Sequence, residues 1–209
     1  MVKIRDLKKE FSKYSFSIEC RHLDVETGSS LGISGTTGSG KTLFTKIITG
    51  LAGSYSGSVE IAGTELKKIY RKKLGYVPFK NILYGNLTLK ENSRFLLSRY
   101  RTDPQDYRIK MDWFSEFWDI RRFDGLKISE LTDGQLQTVK IFSGLLHSPA
   151  VLVIDEPFNG LGSGSANRLR DLFTDIGKRE VTVIAASSSS DLLSVISGRT
   201  VQILNGKIE

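Results

Sequence analysis

Two spacings of apolar residues alternate along this chain and divide it into short buried strands and amphipathic helices. Ser30-Leu31-Gly32-Ile33-Ser34 reads as a short buried strand. After Lys41, apolar residues at Leu43, Phe44, Ile47, Ile48 and Leu51 fall at helical spacing, with Gly53 as the expected stop. Ser58-Val59-Glu60-Ile61 followed by Ala62-Gly63 predicts a strand and a turn, and Leu74-Gly75-Tyr76-Val77 predicts a strand ended by Pro78. Leu136, Val139, Phe142, Leu145 and Leu146 suit a helix, as do Leu169, Leu172, Phe173 and Ile176. Between those helices, Val151-Leu152-Val153-Ile154 is a continuous apolar run, the pattern of a strand covered on both faces. Val181-Thr182-Val183-Ile184-Ala185 is again strand-like. Thr200-Val201-Gln202-Ile203-Leu204, Asn205-Gly206 and Lys207-Ile208 predict a closing hairpin with a primed turn. Helices alternating with buried strands predict an α/β fold with a largely parallel sheet.

Two regions depart from this alternation. The chain to about residue 78 reads as β-rich, with one helix inside it. Residues from about 88 to 130 are helix-like, basic and rich in aromatics, and Asp103-Pro104 breaks them into pieces. There Trp113, Phe114, Phe117 and Trp118 predict a single apolar helix face for core packing, part of which could receive a partner's helix.

Composition narrows the class. A chain of 209 residues holds one compact domain, or a domain with a small subdomain. Its single cysteine, Cys20, excludes an internal disulfide and fits a reducing compartment. The N-terminus lacks the apolar run of a signal peptide. No apolar stretch approaches the ~20 residues that cross a bilayer, so any membrane role is expected to run through a partner. The net charge of +7 comes from short scattered clusters such as Lys8-Lys9 and Arg71-Lys72-Lys73, which read as solvated surface; no nucleic-acid partner is expected.

The chemistry is concentrated in two motifs. Gly35-Thr36-Thr37-Gly38-Ser39-Gly40-Lys41-Thr42 matches G-x-x-x-x-G-K-[ST], the P-loop, and lies between a predicted strand and a predicted helix, the context that gives it meaning. Glycines let successive backbone N–H groups turn inward around phosphate oxygens, and the helix that follows adds the positive end of its dipole. Lys41 is placed to reach β- and γ-phosphates, and the Thr42 hydroxyl to ligate Mg²⁺. The second motif is Val151-Leu152-Val153-Ile154-Asp155-Glu156, a buried strand ending in two carboxylates. Ligands of open α/β sheets bind at that strand end. Asp155 there suits Mg²⁺, and Glu156 suits the polarisation of a water against the γ-phosphate.

Between the two motifs, Leu131-Thr132-Asp133-Gly134-Gln135 precedes a helix, and here the chain resembles the ATP-binding cassette (ABC) ATPases, which carry L-S-G-G-Q before the second motif. Gly75-Tyr76-Val77-Pro78, Leu87-Thr88-Leu89-Lys90-Glu91-Asn92, Leu145-Leu146-His147-Ser148-Pro149, Pro157-Phe158-Asn159-Gly160-Leu161 and Asn205-Gly206-Lys207-Ile208 resemble further family motifs in the family's order. The resemblance covers essentially the whole chain. It implies an α/β P-loop NTPase of ABC type over residues 1–209, with a mostly parallel sheet core, an antiparallel β subdomain, and a small helical subdomain inserted at about 88–135. No regulatory domain is expected after Glu209. It also implies ATP and Mg²⁺ as ligands, with nucleotide held by Gly35, Thr36, Thr37, Gly38, Ser39, Gly40, Lys41, Thr42 and Leu43. Phe11 is the expected adenine-stacking aromatic, with Tyr14 the second candidate and a core role open for either. Thr42 and Asp155 are the expected metal ligands and Glu156 the catalytic base. The signature loop Leu131–Gln135 would serve a second cassette packed head to tail, in a homodimer or a heterodimer. The helical subdomain would dock on an integral membrane transporter subunit, which places the chain in the cytoplasm, peripheral at the inner face of the membrane.

The chain departs from the family pattern at several accessory positions. Phe79 stands where the Q-loop glutamine is expected, Asp133 replaces a glycine of the signature, Thr138 replaces an arginine, and Gly162 replaces the D-loop aspartate. Only His22 and His147 occur, and neither follows the Val181 run, so Ser188 or Ser189 occupies the switch-histidine position. Retained Mg-ATP binding with weak or partner-dependent hydrolysis is the expectation. The first functional reading is an ATP-hydrolysing transporter subunit. The alternative is a regulatory or pseudo-ATPase subunit paired with a more standard cassette. Soluble ABC proteins acting on ribosomes or DNA typically carry paired cassettes, which this chain lacks, and no lid segment suggests a P-loop kinase.

Overall fold

In a computed structural model describing residues 1–11, 16–68, 71–103, 105–162 and 164–208, the apolar run of the second motif forms the strand β7 (Val151–Asp155), buried along its whole length. Around it lie β6 (Leu74–Val77), β8 (Thr182–Ser187), β3 (Ser30–Ser34) and β9 (Arg199–Leu204), all parallel, in the spatial order β6-β7-β8-β3-β9. The sheet continues through the antiparallel turn-back of β10 (Lys207–Ile208). Beyond it come β2 (Phe16–Val25), β1 (Val2–Phe11), β4 (Ser56–Ile61) and β5 (Thr64–Glu65), in which β1 pairs antiparallel with both β2 and β4. The expected parallel core and antiparallel arm are therefore both present. No helix among the described residues is long and apolar enough to cross a membrane.

Alternation along β7 divides the interior into two cores. Val151 and Val153 join Phe44, Ile47 and Ile48 of α1 (Lys41–Ile48), together with Ile4, Ile18 and Val59 of the antiparallel arm. Leu152 and Ile154 face the other way, onto α4 (Asp133–Leu145), α5 (Ser165–Lys178) and α6 (Ser190–Ile196), through Val139, Phe142, Leu169, Leu172 and Leu193. A strand with both faces covered has no position for a polar side chain until its end, which is why the carboxylates appear only at Asp155 and Glu156.

Two sequence expectations need correction. Helix α1 ends at Ile48, not at Gly53. Gly50 takes φ 73°, its N–H bonds to Ile47 and that of Leu51 to Lys46, a Schellman ending that leaves Leu51 outside the helix and 55% exposed. Helix α3 (Asp106–Phe114) stops before Phe117 and Trp118, so the four aromatics do not share one helix face. They meet through irregular turns instead: Phe114 stacks on Trp118 at 5.5 Å between ring centroids and meets Phe142 of α4 edge-on at 5.3 Å. This is the core-packing role. Helix α2 (Leu89–Arg99) begins at a capping box, in which Thr88 and Glu91 exchange hydrogen bonds.

Candidate nucleotide-binding site

The P-loop leaves the end of β3 and enters α1 at the C-terminal edge of the parallel sheet. Gly38 and Gly40 take φ 85° and 107°, conformations that glycine alone adopts without strain. The loop is closed on itself: Lys41 Nζ donates to the carbonyls of Gly35 at 2.7 Å and Thr36 at 3.0 Å. It is also fastened to the closing hairpin, where the Gly206 N–H donates to the Ser39 carbonyl at 3.0 Å. Gly35 is packed so tightly that an added Cβ would lie 2.7 Å from the Ile203 carbonyl oxygen.

The end of β7 meets this loop from the side. Thr42 Oγ1 donates to Asp155 Oδ2 at 2.7 Å, joining residues on either side of the helical region. Asp155 is 1% exposed. Burial holds its carboxyl above the usual range and the neighbouring Glu156 charge adds to this, while the Thr42 hydroxyl opposes it. Its second oxygen, Oδ1, is buried without a hydrogen-bond partner. An uncompensated carboxylate oxygen beside a threonine hydroxyl is a donor set suited to a hard, oxygen-seeking cation such as Mg²⁺.

Glu156 follows at φ 53°, a left-handed conformation unusual for a residue with a side chain, and this turns its carboxylate across the strand ends. The carboxylate is held by the end of β8: Ser187 Oγ donates to Oε2 at 2.7 Å and the Ser188 N–H donates to Oε1 at 2.9 Å. Of the two serines expected at the switch position, Ser188 holds Glu156 only through its backbone N–H, and the Ser189 N–H donates to Ser187 Oγ at 3.2 Å.

These groups open onto a cleft of about 690 Å³ lined by Thr37, Gly38, Gly40, Lys41, Thr42, Leu43, Phe79, Glu156, Phe158, Asn159, Gly160 and Ser187 to Ser189. Gly35, Thr36, Ser39 and Asp155 lie outside that lining and form its support. The signature residues do not reach the cleft of their own chain. Thr132, Gly134 and Gln135 line a separate groove with Thr138, Leu161 and Gly162. Asp133 is exposed as the first residue of α4, where a carboxylate suits the helix dipole, and the Thr132 N–H donates to Gln135 Oε1 at 2.9 Å. Phe11 is half-buried at the end of β1 with Lys9 Nζ 5.3 Å from its ring centre, and it does not line the cleft. Its cross-strand partner Phe16 comes close to the P-loop: a Cβ added to Gly40 would lie 3.0 Å from the Phe16 ring. Tyr14 lies outside the described residues.

Three residues near the cleft went unassigned in the sequence. Phe16 and Ser187 give no sequence signal beyond their place in strands. Lys140 does give one: it stands in the run Val139-Lys140-Ile141-Phe142, a cation inside a stretch of helix that is otherwise apolar. It is 5% exposed, and burial pushes its ammonium down to about 8, against the pull of Asp155.

A P-loop opening a helix, a threonine–aspartate pair and a pinned glutamate, gathered at the C-terminal edge of a parallel sheet, define a P-loop nucleotide-binding domain. The family model described as ABC transporter matches residues 19–159, and the chain belongs to that family. It is 30% identical to the aliphatic sulfonates import ATP-binding protein SsuB of Bacillus thuringiensis over 96% of this chain and 80% of that protein. It is 25% identical to the ABC transporter ATP-binding protein YhaQ of Bacillus subtilis over 90% of this chain, which spans only 62% of that relative's length. A dimeric structure of a bacterial ABC transporter cassette superposes with a TM-score of 0.84 at 23% identity, covering 100% of this chain and 97% of that one, a likeness of fold.

Proposed function

We propose that this chain is the ATP-binding subunit of an ABC-type membrane transporter, which binds Mg-ATP in the cleft and hydrolyses it to drive transport. The observation that carries the reading is the convergence of Lys41, the Thr42–Asp155 pair and Glu156 on one cleft. The backbone N–H groups of Gly38 to Thr42 and the Lys41 ammonium hold the phosphates, and Phe11 with its cross-strand partner Phe16, at the end of the antiparallel arm, offers the adenine platform. Thr42 and Asp155 would hold Mg²⁺, which neutralises charge on the β- and γ-phosphates when bound. Glu156, fixed by Ser187 and Ser188, orients a water and accepts its proton as the water oxygen attacks the γ-phosphorus and ADP leaves. Thr132, Gly134 and Gln135 line a groove separate from their own cleft, which supports a head-to-tail dimer in which each signature loop covers the partner's nucleotide. Docking of the helical segment, about 88–135, on an integral membrane subunit would keep the protein peripheral at the cytoplasmic face.

ATP turnover by the purified chain, measured over a range of protein concentrations beside Glu156→Gln, tests this. Turnover that rises with concentration and disappears in the variant is the expected result. ATP binding without turnover at any concentration would refute hydrolysis by this chain alone and favour the pseudo-ATPase reading, for which Phe79, Asp133 and Gly162 are the motivating residues.

A further inference from the structure

Lys140 sits behind the wall of the cleft, not in it, and its bonds run to two other elements. Its ammonium donates to the Phe79 carbonyl at 2.9 Å, on the segment that leaves β6, and to Gln137 Oε1 at 3.0 Å, one turn back on α4. Gln137, 1% exposed, turns its amide nitrogen the other way and donates at 3.2 Å to both the Glu156 and Pro157 carbonyls. The residues at the two ends of this chain of bonds, Phe79 and Glu156, both line the cleft. A buried ammonium is a poor way to stabilise a helix face, because an apolar side chain of similar length would fill the space without desolvating a charge. The directional bonds are what the charge supplies.

We propose that Lys140 is a positioning residue that couples the Phe79 segment to the Glu156 loop through Gln137, so that a displacement of one wall of the cleft is transmitted to the other. The route uses backbone carbonyls at both ends, so it is indifferent to the phenylalanine side chain at position 79. Its consequence for turnover rests on the role proposed for Glu156, whereas the mechanical coupling does not.

Hydrogen exchange of the full-length protein tests the coupling without nucleotide. Lys140→Met keeps the length and removes the donors, and it should raise exchange at amides 79–84 and at amides 156 and 158–160 together, by about tenfold, while β1 and α5 stay unchanged. Lys140→Arg should restore protection, since a pocket of about 80 Å³ beside Lys140, lined by Tyr76, Ser143 and Gly144, has room for the larger head. With Mg-ATP, Lys140→Met should lower kcat about tenfold with KM for ATP unchanged. A rise confined to one segment, or no recovery in Lys140→Arg, overturns the proposal. Coupled changes in exchange in proteins that turn over no ATP would leave the coupling standing and sink the hydrolytic reading. Should Lys140→Met fail to fold, Gln137→Met breaks the same chain at its other link and is read in the same way.

Discussion

His147 closes the turn after α4 and is the clearest case of a group whose charge the fold refuses. It is 2% exposed, its ring lies flat on Tyr100 at 4.0 Å, and its Nε2 is 3.1 Å from the Leu74 carbonyl. That carbonyl only accepts, so Nε2 carries the proton, and Nδ1 is left buried with no partner. Protonation would place a second N–H there with nothing to receive it. Burial pushes the imidazole down from 6.5 to about 4, Lys72 and Lys110 push the same way, and the Leu74 carbonyl resists. The unfolded chain therefore takes up a proton between pH 6.5 and 4 that the folded chain does not, and stability must fall as pH drops through that window. The full displacement corresponds to about 3 kcal/mol, a large share of the roughly 5–15 kcal/mol that holds a domain folded. In His147→Phe the ring still stacks on Tyr100 but cannot titrate, at a cost of about 1–2 kcal/mol at pH 7 for the unpaired Leu74 carbonyl. Urea unfolding of both proteins from pH 7 to 4.5 should show the wild type losing about 2–3 kcal/mol more than the variant, so that their order of stability reverses. Carboxylates common to both proteins cancel in the difference. A difference that stays constant across the range would refute the buried neutral imidazole.

The other substitutions probe packing. Gly206→Ala would overlap the Ser17 carbonyl oxygen at a position with φ 82°, and should cost about 1–3 kcal/mol in thermal unfolding while weakening ATP binding through the Gly206–Ser39 bond. Full ATP affinity in a destabilised variant would show that the hairpin does not set the P-loop. Phe114→Ala removes a ring that is 0% exposed between Trp118 and Phe142, and should cost about 3–5 kcal/mol in urea unfolding. A loss below 1 kcal/mol would mean the aromatic cluster repacks freely.

Much of the fold was legible because its strands are apolar on both faces. The runs Val151–Ile154 and Val181–Ala185 each predict a strand and fall on β7 and β8, and the Asn205-Gly206 turn, at φ 47° and 82°, is the primed hairpin its sequence predicts. The ends of helices were less legible. Two glycines follow α1, and only the geometry of Gly50 makes it the terminator. The aromatics at 113–118 keep a helical spacing although the chain has left the helix, because turns bonded from Phe117 and Trp118 back to Phe114 present side chains at nearly the same angles. At the candidate site, the residues that belong to a motif could be read from the sequence: Lys41, Thr42, Asp155 and Glu156, which the fold brings together. Those that act by supporting others could not. Ser187 reaches Glu156 across 31 positions and Lys140 reaches Phe79 across 61, pairings that only the folded sheet creates.

Strand β3, which launches the P-loop, lies between β8 and β9, so both of its sheet neighbours come from residues beyond 181. On a ribosome, Gly35–Thr42 emerges long before either flank exists, and Asp155 follows Thr42 by 113 positions. A growing chain therefore exposes an apolar strand with two open edges through most of its synthesis, the condition under which strands pair wrongly. ATP offers no early remedy, since a ligand stabilises only a state that can bind it. The burden of keeping that segment from misassembly falls on the antiparallel arm, whose strands β1, β2 and β4 all emerge within the first 61 residues and can close over α1 while the rest of the sheet is still being made.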